Sequence, residues 1–213
     1  KKAIELDENL IAAQHLLGST YHVTRDLDKA MDIYTSALIK AEGLSDKMWM
    51  GRSIRKIGNT FYGKGDKDKA LDNWGKSLAI AEEIGDKSGM SGSLNNIGLV
   101  YSGQKDYDKS LEYYSRSLSI NEELDDRSSI AMNLSNIGNV FKQKGDTEKT
   151  FDYFKRSLAI YEEIGDKTGT SNTLRKLAGI YKDKGNYDRA IDYSIRSLQN
   201  YGDLGYGRAE LST

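Results

Sequence analysis

The chain has 213 residues, including 14 tyrosines and 21 glycines, with no proline and no cysteine, and its charges balance to a formal net charge of −1. Near-neutrality argues against a molecule that works by electrostatic attraction to nucleic acid or anionic membrane. The lack of cysteine excludes disulfides, a thiolate nucleophile and cysteine-ligated zinc. No apolar run approaches the ~20 residues of a membrane span, and cytoplasmic residence is the expectation. Proline costs about 3 kcal/mol inside a helix, so a proline-free chain of this length reads as mostly helical.

Taken in chain order, the elements recur every 40 residues. Residues 1–8, with Lys2-Ala3-Ile4-Glu5-Leu6, read as the end of a helix from a preceding repeat. The first copy, about 9–47, carries Leu17-Gly18, then Tyr21, Ala30, Tyr34 and Leu38. The second, 48–87, carries Ile57-Gly58, Phe61, Ala70, Trp74 and Leu78. Its helices are predicted over 47–63 and 67–84, separated by the turn Lys64-Gly65-Asp66. The third, 88–127, repeats this with Ile97-Gly98, Tyr101, the turn Gln104-Lys105-Asp106, Ser110, Tyr114 and Leu118. The fourth, 128–167, has Ile137-Gly138, Phe141, Lys144-Gly145-Asp146, Thr150, Phe154 and Leu158. The fifth, 168–207, has Leu177-Ala178, Tyr181, Lys184-Gly185-Asn186, Ala190 and Leu198. Residues 208–213 continue the register as the start of a truncated further repeat, so the chain reads as one array over 1–213 and an excerpt of a longer protein.

Each copy is a helix A, a polar turn and a helix B. Glycine in the turn suits a left-handed helix end, and the Asp or Asn after it is placed to cap the next helix. Mid-helix glycine costs roughly 0.5–1 kcal/mol relative to alanine. Its recurrence therefore implies a steric need for close helix approach. One copy cannot bury its apolar faces alone, whereas stacked neighbours can.

No catalytic constellation emerges. His15 and His22 lie on one helix without the carboxylate help that a metal site needs, and read as surface or groove residues. Gly75-Lys76-Ser77 sits inside helix B, not after a strand as a phosphate loop requires. The pairs Glu82-Glu83, Glu122-Glu123 and Glu162-Glu163 recur with the repeat, as a solvated face does. Asn133-Leu134-Ser135 fits a glycosylation acceptor but falls within helix A. The reading is a non-enzymatic chain with no cofactor and no metal.

Ile54-x-x-Ile57-Gly58-x-x-Phe61 followed by Ala70-x-x-x-Trp74 resembles the tetratricopeptide repeat pattern. The 40-residue period exceeds that family's usual ~34, and no proline closes helix B. In both respects the chain resembles the long-repeat proteins typified by Partner-of-Inscuteable adaptors and many bacterial signalling proteins. The resemblance implies an all-α, right-handed superhelical solenoid of stacked antiparallel helix pairs.

It also implies a concave surface built from helices A. Carried over residue by residue, that surface includes Arg52, Arg55, Lys56 and Asn59; Asn95 and Asn96; Asn136, Asn139 and Lys142; and Arg175, Lys176 and Lys182. These are mostly cations and amides. Amides donate and accept, which suits peptide backbone, and guanidinium takes carboxylates in bidentate fashion. The expected function is a protein-interaction scaffold or adaptor binding an extended, acidic peptide segment. The alternative is a regulatory or oligomerisation region of a larger bacterial signalling protein, self-associating through terminal repeats. Single-stranded RNA is disfavoured by the net charge of −1 and by the few aromatics on that face beyond Tyr62.

Overall fold

The computed structural model describes the backbone of residues 2–203 and the side chains of residues 9–200. The truncated repeat expected at 208–213 lies outside the described residues. Among the described residues there are ten helices: α1 (Lys2–Val23), α2 (Leu27–Gly43), α3 (Lys47–Gly63), α4 (Lys67–Ile84), α5 (Lys87–Gly103), α6 (Tyr107–Glu123), α7 (Arg127–Lys144), α8 (Thr147–Glu163), α9 (Lys167–Asp183) and α10 (Tyr187–Asp203). No strand occurs among the described residues, and no helix there is long and apolar enough to cross a membrane. The predicted helices at 47–63 and 67–84 are α3 and α4.

The chain forms two compact units, Lys1–Asp106 and Tyr107–Thr213. In the first, α1 packs on α2, α2 on α3, α3 on α4 and α4 on α5. In the second, α6 packs on α7, α7 on α8, α8 on α9 and α9 on α10. Each unit is thus a stack of antiparallel helix pairs. One difference from the sequence reading lies at the start. Residues 2–8 run into the same helix as 9–23, with no turn between them. Residues 5–9 lack the left-handed residue before a cap that follows each of helices α1 to α9.

Those turns share one device. Asp26, Asp46, Asp66, Asp86, Asp126, Asp146 and Asp166 each accept the backbone N–H three residues on. Asn186 does the same for Arg189 at 3.2 Å. The residue before the cap is left-handed: Gly65, Gly85, Gly145, Gly165 and Gly185, but also Arg25, Ser45, Lys105 and Asp125. At Gly65 the amide donates to Tyr62 O at 2.9 Å, and Asp66 N donates to Phe61 O at 3.0 Å. Two otherwise orphaned helix-end carbonyls are thereby satisfied.

Packing explains the small and large positions. Tyr34, Trp74, Tyr114 and Phe154 are almost wholly buried. In the first unit Tyr34 and Ala30 of α2 meet Ile57 of α3. In the second, Phe154 and Leu158 of α8 meet Leu174, Leu177 and Ile180 of α9. A buried serine on helix B also donates to a helix A carbonyl: Ser77 to Gly51 at 2.8 Å, Ser157 to Ala131 at 2.8 Å and Ser197 to Ser171 at 2.9 Å. The small hydroxyl permits close approach and remains hydrogen-bonded, as a buried polar group must. Asn133, the sequence's glycosylation pattern, is fully buried and accepts from Asn121 Nδ2 at 2.6 Å.

Candidate functional site

In the first unit, the 40-residue register brings helix A side chains of α1, α3 and α5 alongside one another. Lys56 Nζ of α3 donates to Ser19 Oγ of α1 at 3.2 Å. Asn96 of α5 occupies the same register position as Lys56, and its Nδ2 donates to Asn59 Oδ1 of α3 at 2.8 Å. That oxygen also accepts Trp74 Nε1 at 2.8 Å. The two asparagines therefore brace helix to helix. Asn95 is half-buried beside them.

Arg55 lies against α5, where a Cβ added to Gly92 would come within 2.9 Å of an Arg55 guanidinium nitrogen. Glycine there makes the space the guanidinium uses. Arg55 Nε is buried and makes no hydrogen bond. Burial, then the neighbouring Arg52, holds the proton affinity of Arg55 down, while Asp86 opposes them. Lys56 is likewise lowered, first by burial and then by Arg55. Arg52 stacks over Trp49 at 5.2 Å. Arg52, Arg55 and Lys56 thus share one helix face, and the crowding adds to the burial that lowers Arg55 and Lys56.

The sequence reading of His15 as a surface or groove residue is corrected here. It is buried, edge-on to Tyr34 and Trp49 at 5.6 and 5.1 Å, and its Nε2 lies 2.8 Å from Ser53 Oγ. The register puts Trp49 and Ser53 of α3 over it, which periodicity within α1 cannot reveal. Burial and then Lys56, Arg55 and Arg52 lower its pKa to about 4. His22 Nε2 lies 3.3 Å from Asn59 O. Among the described residues no group of three His, Asp or Glu could hold a metal ion.

The second unit has its own cluster on α7 and α9. Lys176 Nζ donates to Ser135 Oγ at 2.6 Å and lies 5.1 Å from the centre of the Phe154 ring. Burial, then Arg175 and Lys142, lower its pKa to about 8. Arg175 is exposed and donates to Asn172 Oδ1 at 3.2 Å. Asn136 and Lys176 line a cavity of about 180 Å³ with Ser135, Asn172 and Met132. Asn139 is half-buried, whereas Lys142 and Lys182 are exposed. The sequence-predicted residues therefore divide into two clusters, one in each unit. Sequence reasoning missed Ser19 as a lysine acceptor, and it missed Gly92. The signal for both was a small residue facing a cation one repeat away.

The family model for the tetratricopeptide repeat matches residues 89–163 and 129–203, together more than half of the chain. No curated protein matches it by sequence. Among solved structures, BtubC from P. vanneervenii is similar, with TM-score 0.80, 20% identity and coverage of 94% of this chain and 83% of that one. A Rap protein complexed with competence and sporulation factor has TM-score 0.78 and 20% identity, covering 90% of this chain and 54% of that one. The Rap conjugation gene regulator of plasmid pLS20, in complex with the Phr* peptide, has TM-score 0.77 and 16% identity, covering 91% and 53%. The chain thus spans about half the length of those two Rap chains. At such identities these likenesses concern the fold alone. The repeat register, the capped turns and the family match agree: this chain belongs to the tetratricopeptide repeat family.

Proposed function

We propose that the chain is a protein-interaction scaffold whose helix A faces hold an extended, acidic peptide segment. Arg52, Arg55 and Lys56 would provide charge in the first unit, and Lys142, Arg175, Lys176 and Lys182 in the second. The observation that carries this reading is the cation cluster on α3, where burial and then Arg52 lower the proton affinity of Arg55, and burial and then Arg55 lower that of Lys56. A ligand carboxylate beside this cation cluster offsets the crowding of like charge, and charge-assisted hydrogen bonds are about twice as strong as neutral ones. Asn136 and Asn139 would supply backbone contacts beside the second cluster. Two structural neighbours in complex with a peptide or factor lend support.

The test is fluorescence anisotropy with a labelled glutamate-rich peptide and its glutamine counterpart. The wild-type chain should prefer the acidic peptide. Arg55→Glu and Arg175→Glu should each weaken it about tenfold with helical circular dichroism unchanged. Equal binding of both peptides, or indifference to both substitutions, rejects the reading.

A second reading has this segment as the regulatory or oligomerisation array of a larger signalling protein. Its support is the Rap likeness over about half of those chains.

A further inference from the structure

Between α7 and α9, against Tyr161 of α8, lies the cavity of about 180 Å³ that Lys176 enters. Ser135, Asn136, Asn172 and Thr173 line it with the lysine. Among the described residues of this lining, Lys176 carries the one charge, and none is Asp or Glu. Surface amines of the same unit are placed differently. Lys144 meets Asp108 at 2.9 Å and Lys149 meets Asp146 at 3.5 Å, each an ammonium held by a carboxylate. Lys176 instead donates to the buried hydroxyl of Ser135 at 2.6 Å, and the charges acting on it, Arg175 of α9 and Lys142 of α7, have its own sign.

The Phe154 ring, 5.1 Å away, favours the ammonium. Burial and then Arg175 and Lys142 prevail, and the pKa falls to about 8. A share of this amine is therefore neutral and nucleophilic near neutral pH, where an ordinary lysine is almost wholly protonated. The same surroundings favour an anion. Arg175 and Lys142 repel an ammonium but attract a negative group. Ser135, Asn136, Asn172 and Thr173 carry hydroxyl and amide donors for its oxygens. A derivative that turns this amine from a cation into a small anion fits both features.

We propose that Lys176 is a carbon dioxide acceptor, forming a reversible carbamate whose oxygens lie among the hydroxyl and amide donors of this cavity. The lone pair of the neutral Nζ attacks the carbon of carbon dioxide. A C–N bond forms, one C–O π pair moves onto oxygen, and the nitrogen gives up one proton to water. The reverse step returns the amine and carbon dioxide. The site needs no peptide and stands apart from the acidic-segment reading.

The test equilibrates the full chain with carbon-13-labelled bicarbonate near pH 8, the value to which the pKa of Lys176 falls. Triethyloxonium then fixes any carbamate as its ethyl ester for peptide mass spectrometry. Ethyl carbamate at Lys176 should exceed that at Lys144 and Lys149 by more than about tenfold. The carbamate resonance in the carbon spectrum should lose intensity in Lys176→Arg. Asn136→Asp, close in shape but acidic, should cut trapping at Lys176 about tenfold, with circular dichroism confirming that both variants fold. No ethyl carbamate at Lys176, equal trapping on the surface lysines, or indifference to Asn136→Asp overturns the proposal.

Discussion

Gly58 lies so close to Trp74 that a Cβ on it would come within 2.7 Å of the indole ring. Gly138 stands in the same relation to Phe154, again at 2.7 Å. The recurring mid-helix glycine is the space that the helix B aromatic occupies. Trp74 Nε1, anchored to Asn59 at 2.8 Å, cannot swing aside without losing a hydrogen bond. Helix propensity alone predicts that Gly58→Ala stabilises by about 1 kcal/mol. The contact predicts the opposite sign, a loss of about 1–3 kcal/mol. Gly75→Ala is the control, since its Cβ would meet nothing within 4 Å, and it should gain about 0.5–1 kcal/mol. Urea denaturation of the two variants measures both, and a stabilised Gly58→Ala would refute the packing role.

Lys105 and Asp125 occupy, at φ 64° and 50°, the left-handed position that glycine takes in other turns. A residue with a Cβ is strained there by roughly 1–2 kcal/mol. Lys105→Gly and Asp125→Gly should therefore each stabilise the fold, by about 0.5–1 kcal/mol after the extra unfolded-state entropy of glycine is deducted. Gly145→Ala, at φ 79°, should destabilise by about 1 kcal/mol. Thermal melts of the three variants give the signs directly.

His15 makes stability depend on pH in a defined direction. Its pKa is lowered to about 4 from 6.5, by burial and then by Lys56, Arg55 and Arg52. The unfolded chain therefore binds more protons between those values, and stability rises with pH across that window. The contribution is fully present above about pH 6.5 and is lost as pH falls toward 4, on the order of 2 kcal/mol after allowance for solvent screening. Denaturation at pH 7 and pH 4.5, for wild type and His15→Gln, isolates it. The variant should lose much of the wild type's difference between the two pH values.

Lys176 offers a signature of ligand charge. Its pKa is lowered to about 8 by burial and then by Arg175 and Lys142. A carboxylate placed beside it favours the protonated form and raises that value. Binding of an acidic peptide near pH 8.5 should then take up a fraction of a proton, at most about one. Calorimetry in buffers of different ionisation enthalpy measures the uptake, which Lys176→Met should abolish. Wild-type uptake of zero would remove Lys176 from the contact.

Much of this architecture was legible beforehand because its causes are local. A left-handed residue followed by Asp or Asn ends one helix and caps the next wherever it occurs, so the sequence alone determined the turns. The 40-residue recurrence of small and aromatic positions marked which faces would be buried, and placed the candidate cations on helix A. It did not determine their environments. Lys56 meets Ser19, Asn59 meets Asn96, Arg55 fills the space left by Gly92, and Lys176 meets Ser135. Each partner lies about one repeat away, on a neighbouring helix. Burial and proton affinity are properties of that contact, and no single-helix pattern carries them. Only the tertiary structure decided that His15 is interior and that Arg55 has a buried nitrogen without a partner.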